Sequence, residues 1–161
     1  MTPQATTAFH IRAAVEADAS GILACLAAAF ESHRDAYTPG AFADTVLDPA
    51  ALRRRMSTMT VLVAPSQFTI VGTIAWSARP PAGHLRGMAV LPSQQGTGVA
   101  AALLKAAEDQ LRHTECTRVT LDTTEPLQRA IQFYTRRGYA ATGRVSDFFG
   151  MRLHEYARTL D

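Results

Sequence analysis

Apolar positions in this chain change their period several times, and each change marks an element. Phe9, Ile11 and Ala13 alternate with polar residues as a short strand requires. Ile22, Leu26 and Phe30, flanked by Leu23 and Ala27, then recur at helical spacing. Asp18 or Ser20 is placed to cap that helix by accepting backbone N–H groups its first turn leaves without partners. Asp48-Pro49 opens a second helix, with aspartate at the cap and proline in the first helical position. The stretch ESHRDAYTPGAF between them is polar and turn-rich, and reads as a mobile connection. TVLVA (60–64) and FTIVGTIAWS (68–77) are strands joined by Pro65-Ser66-Gln67, a hairpin signal. Arg79-Pro80-Pro81-Ala82-Gly83 breaks the chain before the strand HLRGMAVL (84–91), where Gly87 marks a bulge or a close backbone approach. An amphipathic helix follows from about Gly98 to His113, its inward face supplied by Val99, Ala102, Leu103, Ala106 and Leu111. RVTLDTT (118–124) is a strand, and PLQRAIQFYTRRG is a helix closed by Gly138. YAATGRV and FFGMRLHEYARTL make two antiparallel strands. The order β-α-α-β-β-β-α-β-α-β-β predicts an α/β (α+β) fold, a mixed sheet with helices on its faces, in one domain over residues 1–161.

Composition narrows the partners. Hydrophobic residues make up 47% and charged residues 19%, the balance of an ordinary globular domain. A net charge of +2 calls for no nucleic-acid partner, and Arg53-Arg54-Arg55 reads as a solvated helix face. Cys25 and Cys116 lie too far apart in sequence for a metal motif, and both read as reduced, packed thiols. The start MTPQATTAFHIRAA has no charged region followed by an apolar core, so no signal peptide is expected. Gly21–Phe30 is half the length a membrane span needs. A cytoplasmic protein without membrane or metal is the expectation.

The candidate chemistry begins at VLPSQQGTGVAAALL. Helix N-termini expose unpaired N–H groups and carry about half a positive charge, so they attract anions. Gly96 and Gly98 leave a phosphate room to approach, and Ala100, Ala101 and Ala102 keep the helix start slim. A tight turn before an Ala-rich core helix would use the same residues. A Walker loop is excluded, because Val99-Ala100 follows Gly98 where Lys-Ser/Thr is needed. GTGVAA satisfies the dinucleotide pattern G-x-G-x-x-A, with Asp122 beyond it. That fold, however, places its first glycine directly after the strand, and here Pro92–Gln95 intervene.

The third pattern is the pyrophosphate loop Q/R-x-x-G-x-G/A, matched by Gln95-Gly96-Thr97-Gly98-Val99-Ala100. With LRGMAVLPSQQGTGVAAALL and AIQFYTRRGY in order, and IRAAVEADASGI at the start, most of the chain resembles the GNAT family of acetyl-CoA-dependent N-acetyltransferases. The resemblance implies a mostly antiparallel sheet of six to seven strands, flanked by about four helices, whose central parallel strands splay apart. Pantetheine would lie in that V against Met88, Ala89 and Val90. Backbone amides across Gln95, Gly96, Thr97, Gly98, Val99 and Ala100 would cradle the pyrophosphate. The family often has asparagine where this chain has Leu127, which removes one polar cofactor contact. Dimers are frequent among relatives, so a homodimer is compatible with the resemblance.

The implied reaction is attack by an amine on the acetyl thioester. An amine with a pKa near 10.4 is only about 0.04% neutral at pH 7, a deficit of about 4.6 kcal/mol, so a base has a role. The departing thiolate benefits from a donated proton. Tyr134 matches the family's general-acid tyrosine, although periodicity alone makes it a core aromatic. His84 stands where some relatives carry a catalytic glutamate, and imidazole titrates near neutrality. A histidine at a strand start serves equally as a surface residue. Asp122 matches another acidic-base position and also suits a turn or cap, and water without a dedicated base remains open. Trp76, Phe148 and Phe149 are candidates for the acceptor wall or for ordinary packing. The expectation is acetyl transfer from acetyl-CoA to a primary amine of a small molecule. The alternatives are a protein N-terminus or lysine as acceptor, or a non-catalytic acyl-CoA sensor.

Overall fold

The computed structural model describes residues 9–161; the first eight, on which part of the leader-free reading rests, lie outside it. In chain order the elements are β1 (Arg12–Ala13), α1 (Ala19–Phe30), α2 (Pro39–Thr45), α3 (Pro49–Thr58), β2 (Thr60–Ser66), β3 (Thr69–Arg79) and β4 (Ala82–Val90). They continue with α4 (Val99–His113), β5 (Arg118–Thr124), α5 (Gln128–Arg136), β6 (Ala140–Phe148) and β7 (Met151–Thr159). The seven strands form one open sheet in the order β1-β2-β3-β4-β5-β7-β6, as expected for a mixed α/β fold. Only β4 and β5 are parallel; every other neighbour is antiparallel. Among the described residues no helix is long and apolar enough to cross a membrane.

Each sheet face carries its own core. On one face α4 sets Val99, Leu103, Leu104, Ala107 and Leu111 against Leu62, Ile74, Leu85 and Val119. On the other, Ile22, Leu26 and Leu52 of α1 and α3 meet Val61, Val63, Ala75 and Ala89. Strand β2 is therefore buried on both sides, which is why TVLVA is a continuous apolar run rather than an alternation. α4 lies so close to β3 that a Cβ on Gly72 would stand 2.7 Å from Val99 and 2.8 Å from Leu103. Gly72→Val is accordingly expected to destabilise the fold by about 1–3 kcal/mol, the usual cost of overpacking, read as a lowered thermal midpoint.

Three expectations need correction. Asp18 does not cap α1 with its side chain. Its carboxylate instead accepts two hydrogen bonds from Arg12 (2.6 and 2.9 Å) and one from the Val15 amide (2.8 Å), which ties β1 to the following turn. The connection after Phe30 is not a loose loop. A 3-10 turn over Glu31–Ala36 leads into α2, whose first turn is capped by Thr38 Oγ1 accepting from the Ala41 amide. The inward face of α4 includes Leu104, Ala107 and Glu108, whereas Ala102 and Ala106 are only half-buried. The Asp48 cap on α3 is present, its carboxylate accepting from the Ala51 amide at 2.8 Å. Cys25 and Cys116 are free and buried.

Candidate active site

The site is built where β4 and β5 part. They pair from Ala82↔Arg118 to Leu85↔Leu121 and no further. Past that point β4 stays with β3 and β5 stays with β7 as far as Thr124↔Leu153. The separation begins at a bulge: two steps along β3, Thr73 to Ala75, match three along β4, Arg86 to Ala89. Gly87 sits inside it at φ +68°, a conformation that costs glycine little and a side-chain-bearing residue more. The parted strands open into a cleft of about 1480 Å³. That exceeds the roughly 300–1,000 Å³ of a usual single-ligand site and leaves room for two molecules.

One end of the cleft is the start of α4. Gly98 holds φ +97° and passes its carbonyl to the Ala102 amide, the first bond of the helix. The Gln94, Gln95 and Thr97 amides donate back to Leu91, Pro92 and Gln94. The amides of Gly96, Gly98, Val99, Ala100 and Ala101 have no acceptor among the described residues. A Cβ on Gly96 would meet nothing within 4 Å, so the space before those amides is open. Such a row of free N–H groups at a helix N-terminus is an anion site.

Met88, Ala89, Val90, Gln95, Gly96, Gly98 and Ala100 line this cleft together with His84, Asp122 and Tyr134. Thr97 and Val99 are not brought to its wall: the Thr97 hydroxyl donates to the Gln94 carbonyl, and the Val99 side chain is fully buried. The Gln95 side-chain carbonyl accepts from Arg129 at 2.7 Å. Leu127 stands at the start of α5 without capping it and packs towards the α1–α3 core. The helix start therefore lacks the side-chain acceptor an asparagine would bring.

Tyr134, on α5, is buried edge-on between Phe133 and Tyr139, with ring centroids at 5.3 and 5.6 Å. Tyr139 is braced in turn, because its hydroxyl donates to Glu108 (2.8 Å), which also accepts from Arg158 (2.8 Å). The Tyr134 hydroxyl has no hydrogen-bond partner among the described residues, and burial pushes its pKa well above 10. Past the parting of the strands, the Thr123 hydroxyl is also buried without a partner. Tyr134 lines the cleft, where its hydroxyl is a donor that a bound ligand can meet.

His84 and Asp122 project from adjacent strands on the opposite sheet face from α4. His84 Nε2 lies 3.6 Å from the Asp122 carboxylate, and both side chains are about 35% exposed. His84 Nδ1 is 2.9 Å from the Thr120 hydroxyl, which itself donates to the Gly83 carbonyl. Thr120 thus holds the ring by Nδ1 and leaves Nε2 directed towards the Asp122 carboxylate. Burial holds His84 below its usual 6.5, against the pull of Asp122; burial raises Asp122.

Residues not expected from the sequence complete the wall. Tyr37 reaches over from the 3-10 turn to share a 2.6 Å hydrogen bond with Thr124. Arg53 and Arg54 are exposed as read, but Arg55 turns into the cleft. The signal for it is positional: Arg55 follows the buried Leu52 by three residues and shares its helix face. Trp76 points the other way and donates to Gln110 on α4 (2.7 Å). Phe148 lines the cleft; Phe149, at the β6–β7 turn, covers Gly40 and is half-exposed.

Residues 25–139 match the sequence model of the acetyltransferase (GNAT) family. No curated protein matches the chain. Among solved structures, a GCN5-related N-acetyltransferase from Rhodopseudomonas palustris superposes with a TM-score of 0.79 at 24% identity, over 96% of this chain and 97% of that one. Ribosomal-protein-alanine N-acetyltransferase from Brucella melitensis gives 0.70 at 21%, over 94% and 99%. The yncA protein of Salmonella typhimurium, solved with its cofactor acetyl-CoA, gives 0.69 at 20%, over 95% and 94%.

Proposed function

The chain belongs to the acetyltransferase (GNAT) family, and from that premise we propose that it moves the acetyl group of acetyl-CoA onto the primary amine of a small molecule by direct attack. The observation that carries this reading is the single cleft that joins the free amides of α4, the parted strands and the His84–Asp122 pair. The donors present fit such a co-substrate. The free amides of Gly96, Gly98, Val99 and Ala100 suit an anion, and the unpaired edge of β4 at Met88–Val90 offers main-chain partners to an extended amide-bearing arm. The bound thioester supplies an activated acetyl carbon.

The chain's own residues move the protons. His84 Nε2 accepts a proton from the incoming ammonium, and Asp122 stabilises the imidazolium that results. Tyr134 keeps its proton at every working pH, donates it to the sulfur as it leaves, and regains one from the second proton shed by the acylated nitrogen. The same desolvation that raises the phenol also raises a thiolate beside it, so donor and acceptor stay matched.

A small acceptor is favoured over an extended peptide because the segments next to the cleft-lining Tyr37 and Phe148 are tied together. The Thr38 hydroxyl donates to the Phe149 carbonyl (2.8 Å), which joins α2 to the β6–β7 turn. The Brucella melitensis neighbour, named for a ribosomal-protein alanine, supports a protein N-terminus as the second reading.

Thiol release from acetyl-CoA over a panel of small amines and peptide N-termini tests the proposal. Release with small amines is the expected result; tight CoA binding without release for any amine would make the protein a sensor. The pH profile of kcat/KM is expected to show an acid limb below 6.5, where His84 takes up its proton. Because the Asp122 charge raises His84, Asp122→Asn moves that limb to lower pH. His84→Ala removes the limb and lowers kcat/KM by about a hundredfold. A profile that keeps its limb in His84→Ala would take the base role away from His84.

A further inference from the structure

Arg129, Arg136 and Arg137 line this cleft from α5; from α3, on the side of His84, Arg55 enters it with no counter-ion among the described residues. It lies in the last turn of α3, anchored by Leu52, and its guanidinium rests on the bulge of β4: a Cβ on Gly87 would stand 2.5 Å from Nη1. It donates to no acceptor among the described residues. Burial pulls it down to about 10, with Arg86 adding to the shift and Asp44 opposing it, so it remains charged at neutral pH. Arg86 has a partner, Asp44, at 2.6 Å. At the bulge, then, two guanidiniums stand against one carboxylate, and the Arg55 charge is left unpaired. A half-buried charge left unpaired is unfavourable, and a ligand anion relieves it.

The position says which ligand. Arg55 and Arg86 share the sheet face of His84 and Asp122, on the α1–α3 side. His84 and Gly87 are three residues apart, roughly 10 Å along the strand at ~3.3 Å per residue. At the other end Asp122 is flanked by Glu155 and Arg144, two carboxylates to one guanidinium, a balance that favours an ammonium. We propose that Arg55, supported by Arg86, binds a carboxylate on the acceptor, so that the substrate is an amino acid or another small amine carrying a carboxylate. The inference rests on the acetyl-transfer reading and specifies its acceptor. A bidentate guanidinium–carboxylate pair supplies both the charge and the orientation that presents the amine to His84. Simple alkylamines and polyamines lack the group that Arg55 needs.

The experiment compares kcat/KM for each protein amino acid with that for its primary amide, in the parent and in Arg55→Gln and Arg55→Lys. The acid is expected to exceed the amide by about tenfold or more, the worth of a charge-assisted pair. In Arg55→Gln that ratio is expected to collapse towards one, mainly through KM of the acid, and Arg55→Lys is expected to restore part of it. Calorimetric titration with CoA checks that each variant is folded. Equal rates on acid and amide in the parent overturn the inference while leaving acetyl transfer standing. So does a ratio that survives in Arg55→Gln, and so does weakened CoA binding with the ratio intact, which would assign Arg55 to the co-substrate. If no amine releases thiol, the transfer reading falls by itself. Calorimetry of the same acids and amides on the CoA-loaded protein then decides the inference: preferential heat from the acids, lost in Arg55→Gln, supports it, and equal heats reject it.

Discussion

Tyr134→Phe is expected to lower kcat by at least about tenfold, and by as much as about a thousandfold, while the affinity for CoA holds. The substitution deletes one oxygen and keeps the ring against Phe133 and Tyr139. That oxygen has no partner among the described residues, so its loss breaks no protein hydrogen bond. Removing a buried hydroxyl without a protein acceptor is neutral or stabilising. The thermal midpoint is therefore expected to stay level or rise as turnover falls. The drop in turnover separates the acid role from ordinary packing, since a residue that only packs keeps its ring in Tyr134→Phe and would show little change in rate or stability. Unchanged turnover in Tyr134→Phe would remove the phenol from the reaction.

Gly98→Val is expected to weaken CoA binding by about a hundredfold in a calorimetric titration. Two effects act together. The residue sits at φ +97°, where an L side chain is strained by about 1–2 kcal/mol or more, and a β-branched one is poorly tolerated. The distortion also falls on the residue whose carbonyl starts α4 and whose neighbours present the free amides. Gly96→Ala is the milder control: its Cβ would enter open space, so backbone strain is its main effect. Undiminished affinity in Gly98→Val would reject the helix start as the diphosphate site.

Much of this architecture is legible in the residues because the signals are local. Asp48-Pro49 is both cap and first turn within two positions, and the helix begins there. RVTLDTT is a strand over the residues expected, and Gly87 falls inside the bulge it marks. Where reading fails, a distant partner is responsible. Asp18 is drawn away from its capping role by Arg12, and the polar stretch after Phe30 is ordered partly through Thr38, whose hydroxyl reaches the β6–β7 turn. Arg53-Arg54-Arg55 looks uniform as a charge run. Only the packing of Leu52 divides it, leaving two side chains in water and one in the cleft.

By itself, then, the sequence determined the order of the strands and of every helix but α2, the glycine loop that starts α4 and the family to which the chain belongs, since periodicity, caps and glycines act within a few residues of where they stand. The tertiary structure alone decided that β4 and β5 part after Leu85 and Leu121, that His84 meets Asp122 across them, and that Arg55 faces the same cleft. Those relations join residues far apart in the chain. They depend on strand register and on which helix face is buried, and both are settled by the packing of the whole sheet rather than by any one segment.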